Sequence, residues 1–250
     1  MKNMFDLTGK VAVVTGASSG LGVQYAKLLA ENGADLAILA RRENKLEQVK
    51  KEILAMGRKC EAYQCDVAKE EDVVNTFAKI EKDFGRIDIL VNNAGVVYPG
   101  NDTADWDKVI DINLRAVFLT VREAMKGMVE RNYGKIINIS SVAGLNGMAY
   151  MPSYNASKGG VIVLTKSQAM DGAQHGVTVN CICPGVFESE MTEETFGGHV
   201  DDSNCGGTPM KRIGREGELN GAMLYFASDA SSYTTGQALA VDGGWTSYVP

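Results

Sequence analysis

Short runs of consecutive apolar and β-branched positions alternate along the chain with longer stretches whose apolar residues recur every three or four places. The runs "KVAVVTG", "ADLAILA", "KCEAYQCDV", "IDILVNNAG", "GKIINISS", "GVTVNCICPG" and "QALAVDGG" read as strands. Between them, "VQYAKLLAENG", "ENKLEQVKKEILAMG", "EEDVVNTFAKIEKDFG", a long segment from about Asp105 to Arg131, the segment opened by Ser153, and "GELNGAMLYFAS" read as helices. Continuous apolar strands joined by helices predict a doubly wound parallel sheet with helices on both faces, a three-layer α/β/α architecture. Ligands then collect at the carboxyl ends of the strands.

One stretch does not fit the alternation. "SEMTEETFGGHVDDSNCGGTPMKR", residues 189–212, carries Gly-Gly pairs at 197–198 and 206–207 around an acidic, unpatterned centre. Glycine pairs lower the cost of large backbone rotations, so this segment is expected to be a mobile lid. It is too short to separate domains, and residues 1–250 are expected to form a single domain.

Charge and composition narrow the partners. A formal net charge of −6 leaves no basic footprint for nucleic acid. No apolar run approaches the roughly 18 residues of a membrane span, and the first ten residues do not read as a signal peptide. The five cysteines are scattered and only His175 and His199 are available, so no metal site is expected and the setting reads as a reducing cytoplasm.

Candidate chemistry begins at "TGASSGLG", residues 15–22, between the first strand and the first helix. Gly16, Gly20 and Gly22 permit close backbone approach, and the helix N-terminus offers unpaired N–H groups to a pyrophosphate. Gly16-Ala17-Ser18-Ser19-Gly20 also matches a hydrolase nucleophile elbow, but that reading leaves Tyr154 and Lys158 unexplained. At the end of the second strand, where an NAD site places a carboxylate, the chain has Ala40, Arg41 and Arg42. A guanidinium there can bind a ribose 2′-phosphate, which favours NADP(H) over NAD(H), with Glu43 open as a partner for another ribose geometry.

Tyr154 and Lys158 stand four residues apart in "SYNASKGG", on one face of a helix among small neighbours. Lowering a phenol from about pKa 10 to about 7 takes roughly 4 kcal/mol. An ammonium about 4 Å away supplies roughly that much at an effective dielectric of 20. Such a phenol can exchange a proton with a carbonyl or alcohol oxygen. Ser141, ending the strand "GKIINISS", is placed to hold that oxygen.

Taken together, Thr-Gly-x-x-x-Gly-x-Gly at 15–22, Asn-Asn-Ala-Gly at 92–95, Ser141, Tyr154, Lys158, Pro184-Gly185 and "TTGQALAVDGG" resemble the short-chain dehydrogenase/reductase family over essentially the whole chain. "FDLTGKVAVVTGASSGLG", "ILARRENKLEQV" and "PGVFESEMTEE" look most like its gluconate 5-dehydrogenase-type and 3-oxoacyl reductase-like members. The resemblance implies a seven-stranded Rossmann-like sheet, a homotetramer or homodimer, and hydride transfer between NADP(H) and a carbonyl or secondary alcohol. It makes Tyr154 the acid/base, Lys158 its tuner and a ribose ligand, Ser141 the substrate-oxygen partner, and Asn113 the backbone support of a proton-relay water. Cofactor contacts are implied at Gly16, Ser18, Ser19, Gly20, Leu21, Gly22, Arg41, Arg42, Asp66, Val67, Asn93, Ala94, Gly95, Tyr154, Lys158, Pro184, Gly185, Phe187 and Ser189. Phe187 and Ser189 stand where the family commonly has an aliphatic residue and a threonine, which puts the local loop shape in question.

The substrate stays open at this level. A sugar acid would want a cation, for which Lys211 or Arg212 is available. Met148, Met151, Met191 and Phe196 could instead form an apolar pocket for a steroid or other bulky ketone. A protein that binds NADP(H) without turnover is the alternative of another class.

Overall fold

The computed structural model describes residues 3–247. Strands β1 (Val11–Thr15), β2 (Asp35–Ala40), β3 (Cys60–Gln64), β4 (Ile89–Asn92), β5 (Gly134–Ile139), β6 (Val177–Pro184) and β7 (Ala238–Val241) form one sheet in the order β3-β2-β1-β4-β5-β6-β7. Every pairing is parallel. The strand order reverses direction between β1 and β4, opening a crevice at their carboxyl ends.

The unbroken apolar strands follow from a sheet covered on both faces. Side chains alternate along a strand, so Ala12 and Val14 enter one core while Val13 enters the other. Helices α1 (Gly20–Glu31) and α2 (Glu43–Ala55) pack on the first face through Tyr25, Leu29, Leu46 and Ile53. Helix α3 (Glu70–Phe84) packs on the second through Val73, Phe77 and Ile80, and ends at Gly85 in a left-handed conformation.

Two elements differ from the sequence reading. The helix expected over about 105–131 is three pieces: α4 (Thr103–Ile110), a π-helical turn over Asp111–Arg115, and α5 (Ala116–Glu130). The wider turn carries Asn113, whose amide oxygen accepts from Val96 N–H at 2.8 Å and whose nitrogen donates to the Val96 carbonyl at 2.9 Å. Those bonds to a loop outside the helix accompany the break, as is common for π-turns at functional sites. Helix α6 (Pro152–Ala173) starts one residue before Ser153 and runs beneath the site.

The segment 189–212 is more regular than its glycine content suggests. It contains helix α7 (Glu190–Phe196), capped by Ser189 and Thr192 in reciprocal bonds and closed by Gly197 at φ 75°. None of its residues is buried, so no hydrophobic periodicity betrays it. Helix α8 (Asn220–Ala227) returns Met223 and Phe226 to the first core. Among the described residues no helix is long and apolar enough to cross a membrane.

Candidate active site

The first turn is bound to the end of β4. Thr15 Oγ1 accepts from the backbone N–H of Asn93 at 3.0 Å and of Ala94 at 3.1 Å, and Asn93 Nδ2 donates to the Thr15 carbonyl at 3.1 Å. The approach is close enough that a Cβ on Gly16 would lie 2.8 Å from Ala94 Cα, and one on Gly22 would run into the Gly16 carbonyl. Gly22→Ala is therefore expected to cost about 2–4 kcal/mol of stability, as an overpacked site that backbone must relieve. A urea midpoint within error of the parent protein would show that the turn yields freely.

Ser19, at the N-cap of α1, makes no capping hydrogen bond with its side chain. The first N–H groups of α1 are left to face a cleft of about 220 Å³ lined by Gly16, Ser18, Ser19, Gly20, Leu21, Arg41, Arg42, Asp66, Val67, Asn93, Ala94 and Gly95. Twelve of the positions singled out for a cofactor thus meet on one wall. Ser189 lines it too, with Glu190 and Met191 of α7. A backbone cradle with no room for Cβ atoms, uncapped helix N–H groups and cations at the end of β2 together fit a dinucleotide phosphate backbone.

The two arginines differ. Arg42 donates to both carboxylate oxygens of Glu190 at 3.2 and 2.9 Å and to the hydroxyls of Ser18 and Ser19. Lys45 adds a bond to Glu190 at 2.9 Å. The Arg41 guanidinium has no such partner among the described residues. With Ser18 and Ser19 accepting from a guanidinium, neither is arranged as a nucleophile. His175 lies past the end of α6 and His199 is exposed beside Glu188, so the elbow motif has no base.

On the other wall, β5 delivers Ser140 and Ser141 onto α6. Ser140 Oγ donates to the Lys158 carbonyl at 2.7 Å, and Ser141 caps the short turn Val142–Gly144. A Cβ on Gly144 would sit 2.6 Å from the Lys158 carbonyl carbon, so strand exit and helix meet backbone to backbone. Lys158 is buried, and its Nζ donates to the Ile139 carbonyl at 2.9 Å. It lies 5.6 Å from the Tyr154 ring centroid and beside Gly95, where a Cβ would be 3.5 Å from Nζ. Asn113 Nδ2 reaches Ser157 Oγ at 3.2 Å, joining the π-turn to α6.

The resting electrostatics are not those of a primed phenol. Burial pushes Tyr154 above the ordinary tyrosine range, with the Ser141 hydroxyl pulling the other way. Burial also pushes Lys158 down to about 8, opposed by the nearby Cys181 and Cys183 thiols. Lys158 Nζ, 5.6 Å from the Tyr154 ring centroid, makes its hydrogen bond to the Ile139 carbonyl.

Pro184 ends β6, and Gly185 lies against Asp242, where a Cβ would be 3.0 Å from Asp242 Cα. Phe187 is buried with its ring on Gly214, and lines a separate cavity of about 200 Å³ with Gly185, Thr208, Met210 and Arg212. Arg212 is held there by both oxygens of Glu218 at 2.7 Å. Glu188, Glu193 and His199, all exposed, bring ligand-type atoms within 4.8 Å of one another.

Sequence reasoning missed several working groups. Thr15 and Ser140 act through bonds that only the sheet register creates. Glu190 is one acidic residue among several in the lid, and nothing local marks its link to Arg42, 148 positions away.

The profile of the short chain dehydrogenase family matches residues 10–198. Gluconate 5-dehydrogenase of Gluconobacter oxydans is 39% identical over 249 residues, covering 98% of this chain and 97% of its own. The 3-oxoacyl-acyl-carrier-protein reductase of Rickettsia conorii is 39% identical over 96% of this chain and 98% of its own. Among solved structures, a gluconate 5-dehydrogenase from Burkholderia cenocepacia in complex with NADP and tartrate superposes with a TM-score of 0.93 at 36% identity, covering 98% of each chain. An NAD+-bound xylitol dehydrogenase superposes at 0.89 with 33% identity, covering 95% of this chain and 99% of its own. With Ser141, Tyr154 and Lys158 brought together where β5 meets α6, the chain belongs to the short-chain dehydrogenase family and is an oxidoreductase of CH–OH groups that uses a nicotinamide cofactor.

Proposed function

We propose that this enzyme is an NADP(H)-dependent ketone reductase/alcohol dehydrogenase whose substrate is a sugar acid of the gluconate/5-ketogluconate type. The observation that carries the reaction is the gathering of Ser141, Tyr154 and Lys158 where β5 meets α6, with Lys158 Nζ beside Gly95 of the cleft that the uncapped N-terminus of α1 also lines. When bound, the nicotinamide supplies or accepts the hydride. Ser141 holds the substrate oxygen, and Tyr154 gives that oxygen a proton in reduction or takes it in oxidation. Lys158 leaves the Ile139 carbonyl to face the phenolate and the ribose hydroxyls. Asn113 fixes the π-turn whose backbone supports the relay water.

The sugar-acid reading is supported by the gluconate 5-dehydrogenase relatives. Arg212 is a poor anchor because Glu218 already holds its fork, which leaves Lys211 as the free cation of the pair. The 3-oxoacyl reductase relative supports a second reading with the same chemistry. A panel of sugar acids, β-keto thioesters and hydroxysteroids with each cofactor, followed by NADPH absorbance, separates them. Turnover confined to thioesters would reject the sugar acid.

For the cofactor, Arg41, whose guanidinium has no partner among the described residues, is expected to be one of the 2′-phosphate ligands beside Arg42. Arg41→Ala should weaken NADPH by about 1.5–3 kcal/mol, the worth of a charge-assisted contact, and leave NADH nearly unchanged. Equal losses for both cofactors would remove Arg41 from this role. The outward faces of α5 and α6 carry Phe118, Val163 and Met170, with Met170 79% exposed, which supports a homodimer or homotetramer.

A further inference from the structure

The network around Arg42 has a form that the reaction itself does not require. Glu190 opens α7 and presents both carboxylate oxygens to the terminal nitrogens of Arg42, while Lys45 takes one of them as well. Arg42 also reaches Ser18 at 3.2 Å and Ser19 at 2.6 Å. A guanidinium fork, an ammonium and two hydroxyls are the donor set that a phosphomonoester takes, and a carboxylate is a smaller anion with the same demand. Arg42 and Glu190 both line the cleft at the end of β2, beside Ala40 and Arg41.

Arg42, then Lys45 and Ser19, hold the Glu190 carboxyl down at about 2, so it is an anion throughout the working pH range. The Arg42 and Glu190 side chains are each 42% exposed. An ion pair so open to water is weak enough to be exchanged for another anion.

We propose that Glu190 is a specificity-determining residue: its carboxylate stands in for the ribose 2′-phosphate in the Arg42–Lys45–Ser18–Ser19 donor set. A cofactor with a 2′-phosphate must displace it, whereas one with a free 2′-OH leaves it in place. Because Glu190 is the first residue of α7, the same exchange unlatches the lid helix from the β2 end of the cleft. This rests on the NADP(H) reading for which cofactor the enzyme prefers, and not for the competition.

The test uses 2′,5′-ADP and 5′-AMP, fragments without a nicotinamide, titrated calorimetrically. Glu190→Gln should bind 2′,5′-ADP about tenfold tighter, equivalent to about 1.4 kcal/mol, with 5′-AMP within about twofold of the parent. Glu193→Gln, on the same helix but outside the network, should change neither by more than about twofold. Adding Arg42→Ala to Glu190→Gln should abolish the gain. In the parent protein, exchange of the amides of 190–196 should quicken with 2′,5′-ADP and not with 5′-AMP. An unchanged or weakened 2′,5′-ADP affinity in Glu190→Gln, an equal gain in Glu193→Gln, or identical exchange with both ligands overturns the proposal. The NADP(H) reading fails separately, if the parent binds 2′,5′-ADP no tighter than 5′-AMP. A preference that emerges only in Glu190→Gln would sustain the proposal, with Glu190 then excluding the 2′-phosphate.

Discussion

Tyr154→Phe lowers turnover by about 10²–10⁴-fold, the usual contribution of a positioned acid or base, and leaves cofactor affinity within a few-fold. The substitution removes one oxygen and keeps the ring, so packing against Lys158 and the neighbouring wall is retained. The phenol is pushed upward by burial in the free protein, which makes it a competent donor for reduction and a poor base for oxidation. The loss should therefore appear in both directions, because the acid form and the base form are the same oxygen. Single-turnover rates together with NADPH titration separate chemistry from binding. Near-parental turnover in both directions would remove Tyr154 from the reaction.

The sheet was legible because its strands are apolar on both faces, a pattern that only a doubly covered parallel sheet explains. β1, with five residues all buried, is the clearest case. The cofactor wall was legible because glycines leave a spacing signature where Gly16 and Gly22 meet other backbone. What escaped depends on contacts between distant segments. The π-turn at Asp111–Arg115 is indistinguishable in pattern from a continuous helix, and what accompanies it is the clamp of Asn113 on the distant Val96. Helix α7 buries nothing and is fixed instead by its Ser189–Thr192 cap and by the charges facing Glu190. Tyr154 and Lys158 do share a turn of α6, but the bond from Lys158 Nζ to the Ile139 carbonyl joins the helix to the end of β5, a contact that no local pattern marks.

The burial of Lys158 gives the second large effect. Lys158→Met removes the ammonium expected to bind ribose and charge the phenol, so turnover falls by at least about 10²-fold and cofactor affinity falls with it. Stability should move the opposite way. Burial depresses Lys158 from 10.5 to about 8, so keeping the side chain protonated at pH 7 costs the fold about 3 kcal/mol. Methionine is apolar and of similar length, and Ser140 holds the helix through the backbone carbonyl of residue 158, which the substitution retains. The Ile139 carbonyl loses its donor, a penalty of about 1–2 kcal/mol. A net gain of about 1–2 kcal/mol follows, or roughly 2–8 °C in Tm for a chain of this size. The sign with pH is fixed by the direction of the shift. A lysine depressed in the folded state costs the most below about 8, and that cost is relieved as pH rises toward 10.5, where the unfolded chain also deprotonates. The advantage of Lys158→Met over the parent should accordingly be greatest below pH 8 and fade toward pH 10.5. Urea midpoints of both proteins at pH 7, 8.5 and 10 measure it, and a variant less stable than the parent at pH 7 would show that the buried ammonium contributes stability.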